Sequence, residues 1–256
     1  RVVQSHPVYA AMVEALDRSI GQVLDTLEKT GEADNTIVVF LSDHGDMLGE
    51  HGLWFKMSPF EGSSRVPLLI SAPGLTPQSV TTPVSLIDLN PTLADLVGMD
   101  MLEVTPWTDG QSLVPLMQGE PRKEPVLMEY AAEASYAPVV SIRQGKWKFN
   151  RCRLDPDQLF DLEADPHELN NLAADEAYEE IYRDFSERAE QRWNLEQFDS
   201  DVRANQQRRL TVYEALRSGT FTPWDFQPMQ DASNRFMRNH MDLNVVEETN
   251  RFPRGE

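Results

Sequence analysis

Six groups able to bind a cation or an anion fall in one window, 42-SDHGDMLGEHGLWFKM-57: Asp43, His44, Asp46, Glu50, His51 and Lys56. A carboxylate beside an imidazole can offer oxygen and nitrogen to one divalent cation. Adjacent residues do so only on a tight turn, which Gly45, lacking a Cβ, permits. The alternative for Asp43 and His44 is turn or cap chemistry, because short polar side chains bond back to their own backbone. Lys56 suits a different partner. Its ammonium is a compact charge that matches a tetrahedral oxyanion. A stem partly buried among Trp54, Phe55 and Met57 would call for an anion, since a buried cation is costly alone. A surface lysine lying over an aromatic patch is the competing reading. His51 reads as a structural histidine packed against Trp54, and Asp46 and Glu50 as loop or cap residues.

The elements around this window have to place it. Residues 8–31 carry Val13, Leu16, Ile20, Val23, Leu24 and Leu27 at helical spacing, with Gly31 as a stop. The run 36-TIVVFL-41 reads as a strand covered on both faces, so the window lies beyond its carboxyl end, where open α/β sheets gather ligands. A second apolar run, 66-VPLLIS-71, follows. Asp88 reads as the N-cap of a helix that Gly98 ends. Residues 126–130, 139–149 and 158–162 read as shorter strands with a hairpin at Gln144-Gly145, and 176–216 as helical. These elements imply an α/β core at 1–120, a small, partly antiparallel sheet at 121–175 and a helical segment with a tail at 176–256.

Composition narrows the partners. The 256 residues are 40% apolar, enough for a folded core, and carry a formal net charge of -19. That charge argues against nucleic acid or an anionic membrane as partner. No apolar run approaches the ~20 residues that span a bilayer. One cysteine, Cys152, excludes a disulfide framework and fits a reducing compartment, so a cytoplasmic rather than a periplasmic location is expected. Because the chain opens on Arg1, residues upstream of it are expected too.

The motifs together are more specific than any one of them. The order 35-NTIVVFLSDHGDMLGEHGLWFKM-57, 65-RVPLLISAPG-74, 85-SLIDLNPTLADLVG-98, 109-DGQSLVPLMQG-119, 142-IRQGKWKF-149 and 159-LFDLEADPHELNNLA-173 resembles the C-terminal half of the type I sulfatase family. The resemblance implies an alkaline-phosphatase-like α/β core containing the C-terminal part of a mainly parallel sheet with flanking helices. A small antiparallel sheet and a C-terminal extension would follow. It also implies one divalent cation, usually Ca2+ with Mg2+ or Mn2+ as alternatives, held in part by Asp43 and His44. Lys56 would bind the sulfate and steady charge on the leaving oxygen. Residues 207–243 and 127–138 resemble the choline sulfatase group, which releases choline and sulfate from choline-O-sulfate. By the same resemblance Glu133 and Asp242 are candidates to face the quaternary ammonium, which aromatic faces and carboxylates recognise. Trp224, Phe226 and Phe236 are candidate anchors of a homo-oligomer.

The family's nucleophile is a formylglycine made in a Cys/Ser-x-Pro-x-Arg sequence, and none occurs here. Cys152, in 150-NRCRLDP-156, has the wrong spacing and reads as an incidental thiol. The expectation is therefore a hydrolase whose nucleophile, formylglycine, and remaining cation ligands lie in an N-terminal half upstream, so that this fragment alone is inactive. Two alternatives stand beside it: a phosphonate or phosphate ester hydrolase of the same superfamily, and a non-catalytic assembly or binding module.

Overall fold

The computed structural model of the chain describes residues 2–100, 106–132 and 135–218. It divides into two compact units, 1–200 and 201–256. Glu133, Asp242, Trp224, Phe226 and Phe236 lie outside the described residues.

Helix α1 (Val2–Thr30) forms where the three- and four-residue spacing predicts it. Gly31, at φ 76°, closes it, with Gly31 N–H donating to Glu28 O (3.0 Å) and Glu32 N–H to Leu27 O (3.2 Å). This pairing satisfies carbonyls that the helix end would otherwise leave open. Strand β1 (Val38–Leu41) follows and pairs with β2 (Leu68–Ser71), Val39 opposite Ile70. The pair is antiparallel, whereas a helix feeding a strand reads as part of a parallel unit. Between the strands runs an irregular segment whose only α-helix is the single turn α2 (Glu61–Ser64), so no long crossover helix carries the chain back to start a parallel neighbour. The expected cover on both faces of β1 is also not supplied by the described residues. Phe40 and Leu69 stand exposed, and so do Val8, Met12, Val13, Leu16 and Val23 along α1.

Helix α3 (Leu89–Leu96) follows a 3-10 turn at Leu86–Asp88. Asp88 stands at its N-cap position, as the sequence predicts, but its side chain makes no cap hydrogen bond to the helix. It is fully buried and turns backward, accepting the N–H of Ser85 (2.8 Å), that of Gln111 (2.9 Å) and the Arg122 guanidinium (2.6 Å). A buried carboxylate needs such donors, and a basic partner from the distant Arg122 outbids a local cap. A short α4 (Val114–Met117) leads to the second sheet.

That sheet is a four-stranded antiparallel meander of β3 (Val126–Tyr130), β4 (Val139–Gln144), β5 (Trp147–Cys152) and β6 (Gln158–Asp161). The β4–β5 hairpin closes at Gly145, φ 55°, the left-handed position a two-residue turn demands. Its strands alternate. Ile142, Phe149 and Leu159 stand side by side on one face and bury against Phe185, Ala189 and Trp193, which come from α5 (Glu179–Arg192) and its end. Lys148 and Phe160 occupy the other face and are buried as well. Arg151 clamps α5 to the sheet, donating to Asp157 (2.6 Å) and to Ser186 Oγ (2.7 Å). Helix α6 (Leu195–Arg217) ends the described chain. Cys152 is half-buried at the end of β5, in the small sheet where the sequence puts it. No helix among the described residues is long and apolar enough to cross a membrane.

At the end of β6, burial pushes the Asp161 carboxyl up, but Lys146 (2.6 Å) and the N–H groups of Ala164 and Glu163 outweigh it and hold it below the usual carboxylate value. A depressed carboxyl stabilises the fold fully above its unfolded pKa, and that contribution is lost as pH falls through the lower folded value. Asp161→Asn keeps the shape and removes the charge. It is expected to lower the urea midpoint above about pH 5, the difference shrinking below about pH 4, where the carboxyl of the unfolded chain takes up a proton, and vanishing at lower pH as the folded one protonates. Parallel urea titrations against pH check this, and a difference independent of pH would refute it.

Candidate functional site

The window 42–57 leaves β1 and folds into a small hairpin of its own. Met47 N–H donates to Phe55 O (3.2 Å), Leu48 N–H to Trp54 O (3.3 Å) and Gly49 N–H to Leu53 O (2.7 Å). Gly49 and Gly52 take φ of 103° and 74° at its tip, conformations that favour glycine. Met47, only 1% exposed, anchors the base. This excursion returns the chain so that Lys56 Nζ lies 3.0 Å from His44 Nε2.

The imidazole is oriented by its own backbone. His44 Nδ1 is 2.9 Å from Gly45 O; a carbonyl only accepts, so Nδ1 carries the proton and Nε2 presents its lone pair. The ammonium of Lys56 donates to that lone pair. Asp43 Oδ1 accepts the N–H of His44 (2.9 Å), while Oδ2 lies 3.5 Å from Nε2. That backbone N–H, with the Lys56 ammonium behind it, holds the exposed Asp43 carboxyl below the usual carboxylate value. Asp43, His44 and Lys56 thus converge at the mouth of the hairpin.

Gly45 is required here by close approach. A Cβ on it would fall 2.2 Å from the carbonyl oxygen of Gly62, and its N–H donates to Ser63 O at 2.8 Å. Turn α2 therefore lies directly under the site.

The other groups of the window separate from it. His51 stacks on Phe60, not on Trp54, with ring centroids 4.1 Å apart, and its Nε2 donates to His167 O (3.0 Å). Asp46 and Glu50 line a cavity of about 300 Å3 together with Tyr9, Met47 and Gly62. Lys56 is exposed, as are Trp54 and Phe55, so its stem is not held in an apolar cover. Sequence reasoning missed Ser63, whose Oγ donates to the Lys56 carbonyl. No local pattern marks that contact.

A carboxylate oxygen and an unprotonated imidazole nitrogen fit part of the shell of a divalent cation. Among the described residues no third His, Cys, Asp or Glu joins them as a metal group. A hard cation such as calcium takes roughly six to eight ligands, so Asp43 and His44 would be two contributors among several.

Residues 2–99 match the sulfatase family model, and residues 200–252 match the model described as choline sulfatase enzyme C terminal. By these matches the chain is similar to the sulfatase family over residues 2–99. It is 57% identical to the choline-sulfatase of Rhizobium meliloti (strain 1021) over 261 aligned residues, which take in 100% of this chain and 50% of that relative. Among solved structures it resembles a putative sulfatase from Bacteroides thetaiotaomicron (TM-score 0.58, 30% identity, 75% of this chain and 42% of that one). It also resembles a phosphonate monoester hydrolase from Silicibacter pomeroyi (TM-score 0.60, 30% identity, 69% and 38%). These neighbours agree with the expected α/β, alkaline-phosphatase-like fold. The chain spans about half the length of that choline-sulfatase.

Proposed function

We propose that this chain is the part of a sulfuric ester hydrolase that binds the sulfate and shares in holding a divalent cation, with choline-O-sulfate as substrate. The observation that carries the reading is the convergence of Lys56 Nζ, His44 Nε2 and the Asp43 carboxylate, whose charges suit an anion on one side and a cation on the other. In it, Lys56 holds a sulfate oxygen and stabilises the charge that grows on the leaving oxygen. Asp43 and His44 hold one divalent cation, Ca2+ by family resemblance. Such an ion, when bound, supplies Lewis-acid polarisation of a sulfate oxygen. Gly45 O keeps the His44 tautomer that leaves Nε2 available.

The nucleophile, a formylglycine by family resemblance, belongs in this reading to polypeptide outside the chain. The exposed apolar faces of α1, β1 and β2 support such a partner, since bare apolar surface marks a contact with more protein. By itself the chain would then be inactive. Glu133 and Asp242 are proposed to face the substrate ammonium, and the C-terminal segment to join subunits of a homo-oligomer, both on resemblance. A cytoplasmic location goes with them.

The likeness to a phosphonate monoester hydrolase favours one other reading, a phosphonate or phosphate ester hydrolase. The full-length enzyme is expected to turn over choline-O-sulfate with a higher kcat/KM than an aryl phosphodiester. The reverse order would replace the sulfate ester with the phosphorus ester, and no turnover of either would leave an assembly or binding module.

A further inference from the structure

Among the described residues one of the large fully buried side chains is a lysine, and the chemistry proposed above does not use it. Lys148 in β5 is 0% exposed. Its neighbour Phe149 points into the core against α5, so Lys148 points to the opposite face of the sheet, toward the segment that carries Lys56. An ammonium taken wholly out of water persists only with charged partners and hydrogen bonds around it. Lys148 has two carboxylates. Nζ donates to Glu61 Oε1 at 2.9 Å, lies 2.9 Å from Glu168 Oε1 in a charge contact, and stands 3.4 Å from Ser64 Oγ. Glu168 is itself buried and sits at φ 55°, a conformation a non-glycine residue keeps only when its surroundings hold it there. Its other oxygen, Oε2, accepts the N–H of Glu61 at 2.6 Å.

All three charges meet at turn α2, and α2 is what the site rests on. Glu61 and Ser64 receive Lys148, and between them Ser63 reaches the site. Ser63 O accepts the N–H of Gly45, and Ser63 Oγ donates to the carbonyl of Lys56. One turn of helix thus holds the backbone beside His44 and the backbone of Lys56 together. A second tie runs parallel to it, with His51 stacked on Phe60 and Phe60 edge-on to Phe160 of β6 (6.2 Å).

We propose that Lys148, with Glu61 and Glu168, is a positioning residue: from the second sheet it pins α2, and α2 sets Lys56 Nζ against His44 Nε2. None of the three touches the anion or the cation. The second sheet therefore takes part in the reaction by geometry alone. The proposal rests on Lys56 as the anion-binding group, and its test separates the two.

The test uses Lys148→Met and Glu61→Gln in the full-length enzyme. Glu61→Gln leaves the Lys148–Glu168 pair in place, so it folds even where Lys148→Met does not. Two quantities are read: amide hydrogen exchange by mass spectrometry, and kcat and KM for choline-O-sulfate. The expected result is exchange at least about tenfold faster across 43–64, with β3–β6 still protected, and kcat lowered about tenfold or more with KM changed less. Faster local exchange with unchanged kcat supports the pin and counts instead against Lys56 as the anion-binding group. Unchanged exchange across 43–64 in Glu61→Gln overturns the proposal, and so does a loss of protection spread evenly over the chain, which is what a merely structural role gives.

Discussion

Lys56→Ala in the full-length enzyme is expected to lower kcat by on the order of 100-fold or more, with little change in thermal stability. A preorganised cation aimed at the oxygen where charge develops accounts for roughly that factor in comparable sites. Stability should barely move, because the side chain is exposed and its hydrogen-bond partner is His44 Nε2, itself within reach of solvent. Lys56→Arg keeps the charge but replaces a compact ammonium with a planar fork, so partial recovery is the expected result. Steady-state kinetics with a melting curve on each variant decide the matter. An alanine variant with wild-type kcat would return Lys56 to the role of a surface lysine.

Phe149→Ala is expected to destabilise the fold by about 3–5 kcal/mol, which shifts the folding equilibrium by a factor of about 100 or more. Phe149 is 0% exposed and joins the sheet to α5, edge-on to Tyr182 (6.0 Å) and tilted against Phe185 (6.3 Å). Truncation removes the ring that both layers close around, and neighbours fixed by two strands cannot collapse into the space. Urea unfolding followed by circular dichroism measures the loss. A shift below about 1 kcal/mol would mean that the sheet and α5 do not depend on this contact.

The local elements were legible because their signals are local. The spacing of Val13, Leu16 and Ile20 predicts α1, Gly31 its end, and Gln144-Gly145 the β4–β5 hairpin. The window 42–57 marks its candidate groups by residue type, and the roles proposed for them come from the resemblance of the ordered motifs. What the sequence hides is long-range. His51 pairs with Phe60 and with the carbonyl of His167, 116 residues away, and nothing near Trp54 points there. Lys148 reads as a polar position on an alternating strand, yet its carboxylates come from 87 residues earlier and 20 later, and only the fold brings them to one ammonium. Asp88 takes its predicted place at the helix start, but nothing local shows that its carboxylate serves Arg122 instead of the helix. The direction of β2 against β1 is hidden for a related reason: apolar runs specify strands, but the path between them decides which way they meet.

The single proton on the His44 ring has a further consequence. Gly45 O fixes it on Nδ1, so Nε2 holds one electron pair, and one electron pair serves one acid at a time. An ammonium and a metal ion are rivals for it. In the site proposed here, a cation held on Nε2 would free Lys56 from the histidine and leave its N–H groups for an oxyanion, so the carbonyl of a glycine would set the order, cation before anion.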